Sequence, residues 1–246
     1  GVLQALRKAK DDGLVQHIGF TGHDTPENFI KCIETGLFDS ITVPYNMINR
    51  MYEPTIERAG ELGVGVVAMC PVSGGILSGE SSQLKEAVDL DLPTTEMALH
   101  FVLANPNVST ACSGMATPEM VEENARSVCS FDAKESAAIR EQVNSGLQRL
   151  RETLGEKQCT ACRYCMPCPQ EVNIPLATEL YRNWKAYGLR EAVAERIAAM
   201  PKDGGIYRCN RCGACVEACP NDLPVPEMID ELKTLSPGRT AAKGEA

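Results

Sequence analysis

Eight of the twelve cysteines fall between Cys159 and Cys219, in two tight runs, while the other four are scattered over the first 150 residues. The runs are Cys159-Thr-Ala-Cys162-Arg-Tyr-Cys165-Met-Pro-Cys168-Pro169 and Cys209-Asn-Arg-Cys212-Gly-Ala-Cys215-Val-Glu-Ala-Cys219-Pro220. Thiols at that density either cross-link or bind metal, and the choice dictates the local fold. The chain opens Gly1-Val2-Leu3 with no charged stretch leading into an apolar one, so no signal peptide is read. The expected location is the cytoplasm, where thiols stay reduced and metal binding is the default. Zinc sites use two cysteine pairs held apart by intervening structure. A cubane 4Fe-4S cluster presents its irons on separate corners, so one loop can grip three of them while a fourth cysteine, just before proline, reaches elsewhere. The spacing therefore points to iron–sulfur. The second run carries the whole C-x2-C-x2-C-x3-C-P pattern, whereas in the first only Met166 and Pro167 separate the third and fourth cysteines.

The 246 residues suit one to two domains, and 43% apolar content is enough for a packed core. Gly and Pro together number 35, and no apolar run approaches the ~18 residues a membrane span needs. Residues 1–150 hold 11 basic and 20 acidic side chains; residues 151–246 hold 13 of each. A net charge of −9 without a basic stripe argues against nucleic acid and against anionic membranes.

Between the cysteine runs lie residues 169–208. Ile174, Leu176, Leu180, Trp184 and Tyr187, then Leu189, Val193, Ile197 and Met200 after Gly188, follow helical spacing and predict two helices. This arrangement resembles the α-helical ferredoxin domain of the iron–sulfur subunits of succinate dehydrogenase and its relatives. By analogy with two-cluster ferredoxins, Cys159, Cys162, Cys165 and Cys219 would hold one cluster and Cys209, Cys212, Cys215 and Cys168 the other. The alternative puts all four cysteines of the first run on one cluster. Trp184 is expected in the core, and Gly213 is expected to let the backbone approach the cluster sulfurs.

The first 150 residues alternate. Helical stretches at 2–10, from Pro26 to Gly36, from Pro54 to about Gly63, at 84–88 and at 94–104 are separated by extended segments at 16–20, 39–43, 64–69 and 107–112. A last pair of helices is expected at 118–127 and 132–154. Apolar strands alternating with amphipathic helices predict a parallel sheet covered by helices, a pattern that fits part of a (β/α)8 barrel and a doubly wound sheet alike. Gly63-Val-Gly65 is no dinucleotide fingerprint, because it leads into a strand instead of following one.

Three strings carry a more specific resemblance: Leu14-Val-Gln-His-Ile-Gly-Phe-Thr-Gly22, Val66-Val-Ala-Met-Cys-Pro-Val-Ser-Gly-Gly-Ile-Leu77, and Ala98 to Val108 followed by Ser113 to Asn124. In order and spacing they resemble strands five to eight of the aldo/keto reductase barrel, over about residues 1–150, in a branch carrying a C-terminal ferredoxin module at about 151–240. The resemblance implies the C-terminal half of a (β/α)8 TIM barrel, nicotinamide-dependent carbonyl/alcohol chemistry, and a chain truncated at its N-terminus. The family's catalytic Asp, Tyr, Lys and His lie before strand five, so no catalytic residue is assigned here. Where the family binds the carboxamide with Ser-Asn, this chain has Thr21 and Gly22. Where it stacks an aromatic after strand seven, Met69, Cys70 and Pro71 stand. Gly114 and Met120 replace the bases that hold a 2′-phosphate, while Glu123 and Asn124 match the adenine-side pair. Thr21, Gly114, Glu123 and Asn124 are thus the candidate nucleotide contacts, with NAD, a flavin or no nucleotide left open.

Of the remaining residues, Cys70 and His23 follow strands at the face where barrel enzymes place their chemistry. Cys70 is expected to be a small buried apolar residue and His23 solvated. His17 is expected inside a strand and His100 in an apolar helix. Cys32, Cys112 and Cys129 lack metal-ligand spacing and are expected in the core. Ser73-Gly74-Gly75 suits either a phosphate cradle or a plain loop. The expected function is an aldo/keto reductase-type oxidoreductase coupled to electron transfer through two 4Fe-4S clusters, acting with a redox partner protein or a small carbonyl or alcohol substrate. The alternatives are an electron-transfer module on an inactive barrel scaffold, and two structural zinc sites.

Overall fold

Proline and threonine open the helices that flank four short parallel strands. The computed structural model describes residues 1–236 apart from 23, 154–158, 160, 161 and 202. His23 therefore lies outside the described residues. The chain forms two units: Gly1–Leu77 with Leu92–Asn144, and Ser78–Asp91 with the described residues from Ser145 on.

In the first unit, β1 (Gly19–Thr21), β2 (Ser40–Pro44), β3 (Gly65–Met69) and β4 (Thr110–Cys112) form one parallel sheet in sequence order. Each strand is followed by helix: α1 (Val2–Asp11) precedes β1, α2 (Pro26–Glu34) and α3 (Glu53–Glu61) follow β1 and β2, and α5 (Thr94–Leu103) lies between β3 and β4. α6 (Pro118–Cys129) follows β4, and α7 (Ala133–Thr153) begins in this unit and ends in the other. Thr25 and Thr117 cap α2 and α6 through their hydroxyls, each with proline at the first helical position, where the missing N–H costs nothing.

Strand side chains alternate between faces. Ile41, Val43, Val66 and Ala68 are fully buried on one face. The other presents three layers set by register: Gly19, Ser40 and Gly65; Thr21, Thr42, Val67 and Thr110; Pro44, Met69 and Cys112. The strands are thus apolar on one face and mostly small or hydroxylated on the other, not apolar throughout. A buried polar knot holds the end of β2. The Tyr45 hydroxyl donates to Glu53 Oε1 at 2.8 Å and accepts from Arg140 at 2.8 Å and Asn105 at 3.2 Å, while Arg140 lies 4.3 Å over the Phe101 ring. Burial pushes the Tyr45 phenol up, and the Glu53 carboxylate adds to the shift against the opposing pull of Arg140.

Several expected positions are corrected. Cys32, Cys70, Cys112 and Cys129 are all exposed rather than core. Cys32 and Cys129 lie on helices α2 and α6, Cys112 lies on the hydroxyl-rich face of the sheet, and Cys70 lies in a left-handed turn (φ 56) after β3. His17 precedes β1 instead of lying in it; its side chain is 75% exposed, 3.7 Å from Asp39. The extended segments are also shorter than their composition suggests, because pairing begins only at Gly19 and Thr110. His100 is buried in α5, its Nδ1 2.8 Å from Ser136 Oγ.

The second unit contains α4 (Ser82–Val88), α8 (Ile174–Lys185), α9 (Arg190–Ala198), the short α10 (Ala214–Glu217) and α11 (Val225–Lys233). Leu84, Val88, Leu147, Ile174, Leu180, Tyr187, Val193, Ile197, Ile229 and Leu232 supply its core. The Ser81 hydroxyl caps α4 and also donates to the Tyr187 carbonyl at 2.6 Å. Trp184 is only half-buried, which corrects the core expectation: it carries Lys185 Nζ 4.0 Å over its ring and meets Tyr181 edge-on.

Candidate iron–sulfur centre

The two cysteine runs lead into a repeated segment: Cys168-Pro-Gln-Glu-Val-Asn-Ile-Pro175 and Cys219-Pro-Asn-Asp-Leu-Pro-Val-Pro226. In each, the residue three after the cysteine turns left-handed, Glu171 at φ 56 and Asp222 at φ 49. Its N–H returns to the cysteine carbonyl, at 2.9 Å for Cys168 and 3.2 Å for Cys219. The next residue, Val172 or Leu223, is buried, and Ile174 or Val225 opens α8 or α11 with proline in the first turn. Just beyond each proline-flanked cysteine the chain has therefore turned and begun a helix that seals the base of the loop. A second pair of left-handed positions follows the second cysteine of each run, Arg163 (φ 65) and Gly213 (φ 81). The place of Gly213 is explained by that conformation, which glycine adopts without a Cβ clash; a Cβ built there meets nothing within 4 Å.

Two cavities lie against these loops. The first, about 370 Å³ including its solvent-open part, is lined by Cys159, Cys162, Cys165 and Cys219, with Cys215 also bordering it and Ile174, Leu223, Val225 and prolines as its apolar wall. The second, about 350 Å³, is lined by Cys168, Cys209, Cys212 and Cys215, with Cys165 also bordering it and Val172, Ile174, Pro226 and Ile229 as wall. Each thus draws thiols from both runs, and Cys165, Cys215 and Ile174 border both. Burial pushes the Cys165 thiol up, and negative charge on Cys159, Cys162 and Cys219 pushes the same way. Burial likewise raises Cys215, joined by charge on Cys209, Cys168 and Cys212. Bound metal reverses that preference by stabilising the thiolates.

Among the described residues no three His, Cys, Asp or Glu side chains converge as ligands of a single metal ion. Zn–S bonds of ~2.3 Å in a tetrahedron would bring the sulfurs within about 4 Å of one another. Thiols spread around an apolar cavity instead suit a polynuclear group whose corners each take one soft ligand. Charged residues ring the outside: Arg208 pairs with Glu171, Arg211 with Asp230 and with Glu227 at 2.5 Å, and Lys185 with Glu231 at 2.6 Å.

The sequence-derived nucleotide contacts are spread over the end of β1, the loop after β4 and helix α6. Thr21 is exposed and donates its hydroxyl to the Thr42 carbonyl at 3.1 Å. Gly114 is exposed in the loop after β4, Glu123 is exposed on α6, and Asn124 donates to Ser113 Oγ at 3.1 Å. Asn46, which sequence reasoning passed over, is buried and ties the loops after β2 and β3 by donating to the Cys70 carbonyl at 3.0 Å and accepting from Ile48 and Asn49. Gly74 (φ 62) and Gly75 (φ 93) make the following turn left-handed. The face offers hydroxyls and backbone N–H groups. The Thr21 hydroxyl donates to the Thr42 carbonyl and keeps its acceptor lone pairs open, and the 113–117 segment carries no cation.

The model of the aldo/keto reductase family matches residues 1–144. This chain belongs to that family. A 4Fe-4S dicluster domain matches residues 158–223, so the aldo/keto reductase-type oxidoreductase domain is followed by an iron–sulfur domain of ferredoxin type. An uncharacterized oxidoreductase of Schizosaccharomyces pombe is 29% identical over 121 residues, 48% of this chain and 38% of the relative. A fumarate reductase (CoM/CoB) subunit of Methanothermobacter marburgensis is 22% identical over 199 residues, 77% of this chain and 37% of the relative. The holo form of an aldo-keto reductase from Bacillus halodurans superposes with TM-score 0.49 at 25% identity, covering 57% of this chain and 54% of that one. This aldo/keto reductase chain thus spans about two fifths to one half of the relatives it matches. No helix among its described residues is long and apolar enough to cross a membrane.

The signal sequence reasoning missed is the C-P-x-[ED]-[VL]-x-[IV]-P repeat, visible once the two runs are aligned on their last cysteine.

Proposed function

We propose that this chain is the electron-carrying part of an aldo/keto reductase-type oxidoreductase, with two 4Fe-4S clusters relaying single electrons between a redox partner protein and a carbonyl/alcohol site on the barrel. The observation that carries the reading is the lining of the two cavities, each with three cysteines of one run and the last cysteine of the other, while Cys165 and Cys215 border both. Cys159, Cys162, Cys165 and Cys219 are assigned to the first site, and Cys209, Cys212, Cys215 and Cys168 to the second, within a domain at about 151–240. When bound, each cluster supplies one-electron chemistry. The chain's own residues do the rest. Ile174, Val172, Leu223 and Val225 exclude water from the inner walls, the turns at Glu171 and Asp222 aim the last cysteines, and Ile174 keeps the two sites adjacent but separate. Reduced thiols of this kind belong in the cytoplasm.

On the barrel, at about 1–150, Thr21, Gly114, Glu123 and Asn124 are the residues through which NAD or a flavin would bind. A second reading takes the barrel part of this chain as a docking scaffold without hydride chemistry, since Gly22 stands beside Thr21 where the family has an amide side chain. Anaerobic reconstitution of the chain decides both. A brown protein with about eight iron and eight acid-labile sulfides per chain is expected; a colourless protein with about two zinc overturns the cluster reading. Release of flavin, or saturable binding of NADH, supports the hydride-linked form, and absence of both supports the scaffold.

A further inference from the structure

We propose that Arg163 sets an uncompensated positive charge against the first cluster site, so that this cluster takes the first electron when the protein is reduced; the inference rests on the two-cluster reading above. The sister loops are built alike, yet at the left-handed position after the second cysteine one has Gly213 and the other Arg163. Glycine adopts φ near +65° freely, whereas an arginine does so at a cost that Arg211 in the second run (φ 61) also carries. Arg163 lines the first cavity. Arg163 is exposed, and among the described residues its guanidinium has no ion pair, side-chain hydrogen bond or ring contact. The arginine lining the second cavity is neutralised, since Arg211 is bound by Asp230 and Glu227. Arg208 nearby is bound by Glu171. Asp222, the carboxylate next to Asn221 of the first cavity, lines neither cavity.

Net charge and exposure are among the quantities that place a cluster's potential, and an unpaired cation favours the more negative, reduced form. No bond forms or breaks in the step: one electron from an external reductant such as dithionite is retained at the first site in preference to the second. Arg163 is a tuning residue here, not a ligand.

The test is a redox titration of the reconstituted full chain followed by electron paramagnetic resonance. Arg163→Gly is expected to lower one midpoint by about tenfold in the electron-binding equilibrium, which is ~59 mV for one electron, and to leave the other within a factor of about three. Arg163→Lys is expected to keep both midpoints. Because glycine is what the sister loop carries at this position, thermal stability should hold or rise. In a Cys159→Ala/Cys219→Ala background, which strips two thiolates from the first site, Arg163→Gly is expected to leave the remaining midpoint unmoved. Unmoved midpoints, equal movement of both, or a shift that persists without Cys159 and Cys219 would overturn the role of Arg163. Failure of the unsubstituted protein to bind two clusters would instead sink the reading on which the inference rests.

Discussion

The proposed crossing of ligands between the two runs has a stoichiometric consequence. Cys159 opens the first run and Cys219 closes the second, 60 positions apart, yet both line the first cavity. The double variant Cys159→Ala/Cys219→Ala should therefore strip two thiolates from one site and none from the other. The second site would retain Cys168, Cys209, Cys212 and Cys215. Expected iron falls from about eight to about four per chain, with sulfide in parallel and one cluster signal unchanged in its resonance spectrum. The mirror variant Cys159→Ala/Cys168→Ala removes two cysteines of one run but one from each cavity, so neither signal should remain as in the unsubstituted protein. If each run served its own cluster, the pattern would reverse. Iron and sulfide assays on anaerobically reconstituted protein, with spectra of both variants, separate the cases. An unaltered cluster in Cys159→Ala/Cys168→Ala, together with none in Cys159→Ala/Cys219→Ala, refutes the crossed arrangement.

Two further outcomes concern stability. A Cβ at Gly146 would stand 2.7 Å from the Ala87 carbonyl oxygen and 2.8 Å from Val88 Cα, both backbone atoms, so Gly146→Ala should destabilise the second unit by ~1–3 kcal/mol in denaturant melts. An unchanged melt would show that α4 shifts freely. Tyr45 keeps its proton longer folded than unfolded, so its contribution is complete below the ordinary phenol value of 10.0 and is lost as pH rises above it. Stability measured by denaturant should accordingly fall more steeply above pH 10 in the unsubstituted protein than in Tyr45→Phe; parallel slopes would contradict this.

Much of the architecture was legible from local chemistry. Pro26 and Pro118 mark helix starts because proline suits the first helical position, and Ile41-Thr-Val43 and Val66-Val67 mark strands because β-branched side chains fit the pleat. The cysteine runs named their chemistry by spacing alone. What local chemistry could not reveal was burial. Cys32, Cys112 and Cys129 are of a type usually found inside but stand exposed, and Trp184 is only half-buried, with Lys185 over its ring. Nor could it reveal partnership at long range, as in the Tyr45 knot, whose members Glu53, Asn105 and Arg140 come from separate elements and carry no motif.

The amino-acid order by itself determined that soft ligands would be gathered at the C-terminal end and that strands would alternate with helices before it, because metal preference and backbone propensity act over a few neighbouring residues. Only the tertiary structure decided which thiols of the two runs border one cavity and which carboxylates meet Arg208 and Arg211. Those outcomes depend on how segments far apart in the chain are brought within a few ångströms, and no local pattern encodes that distance.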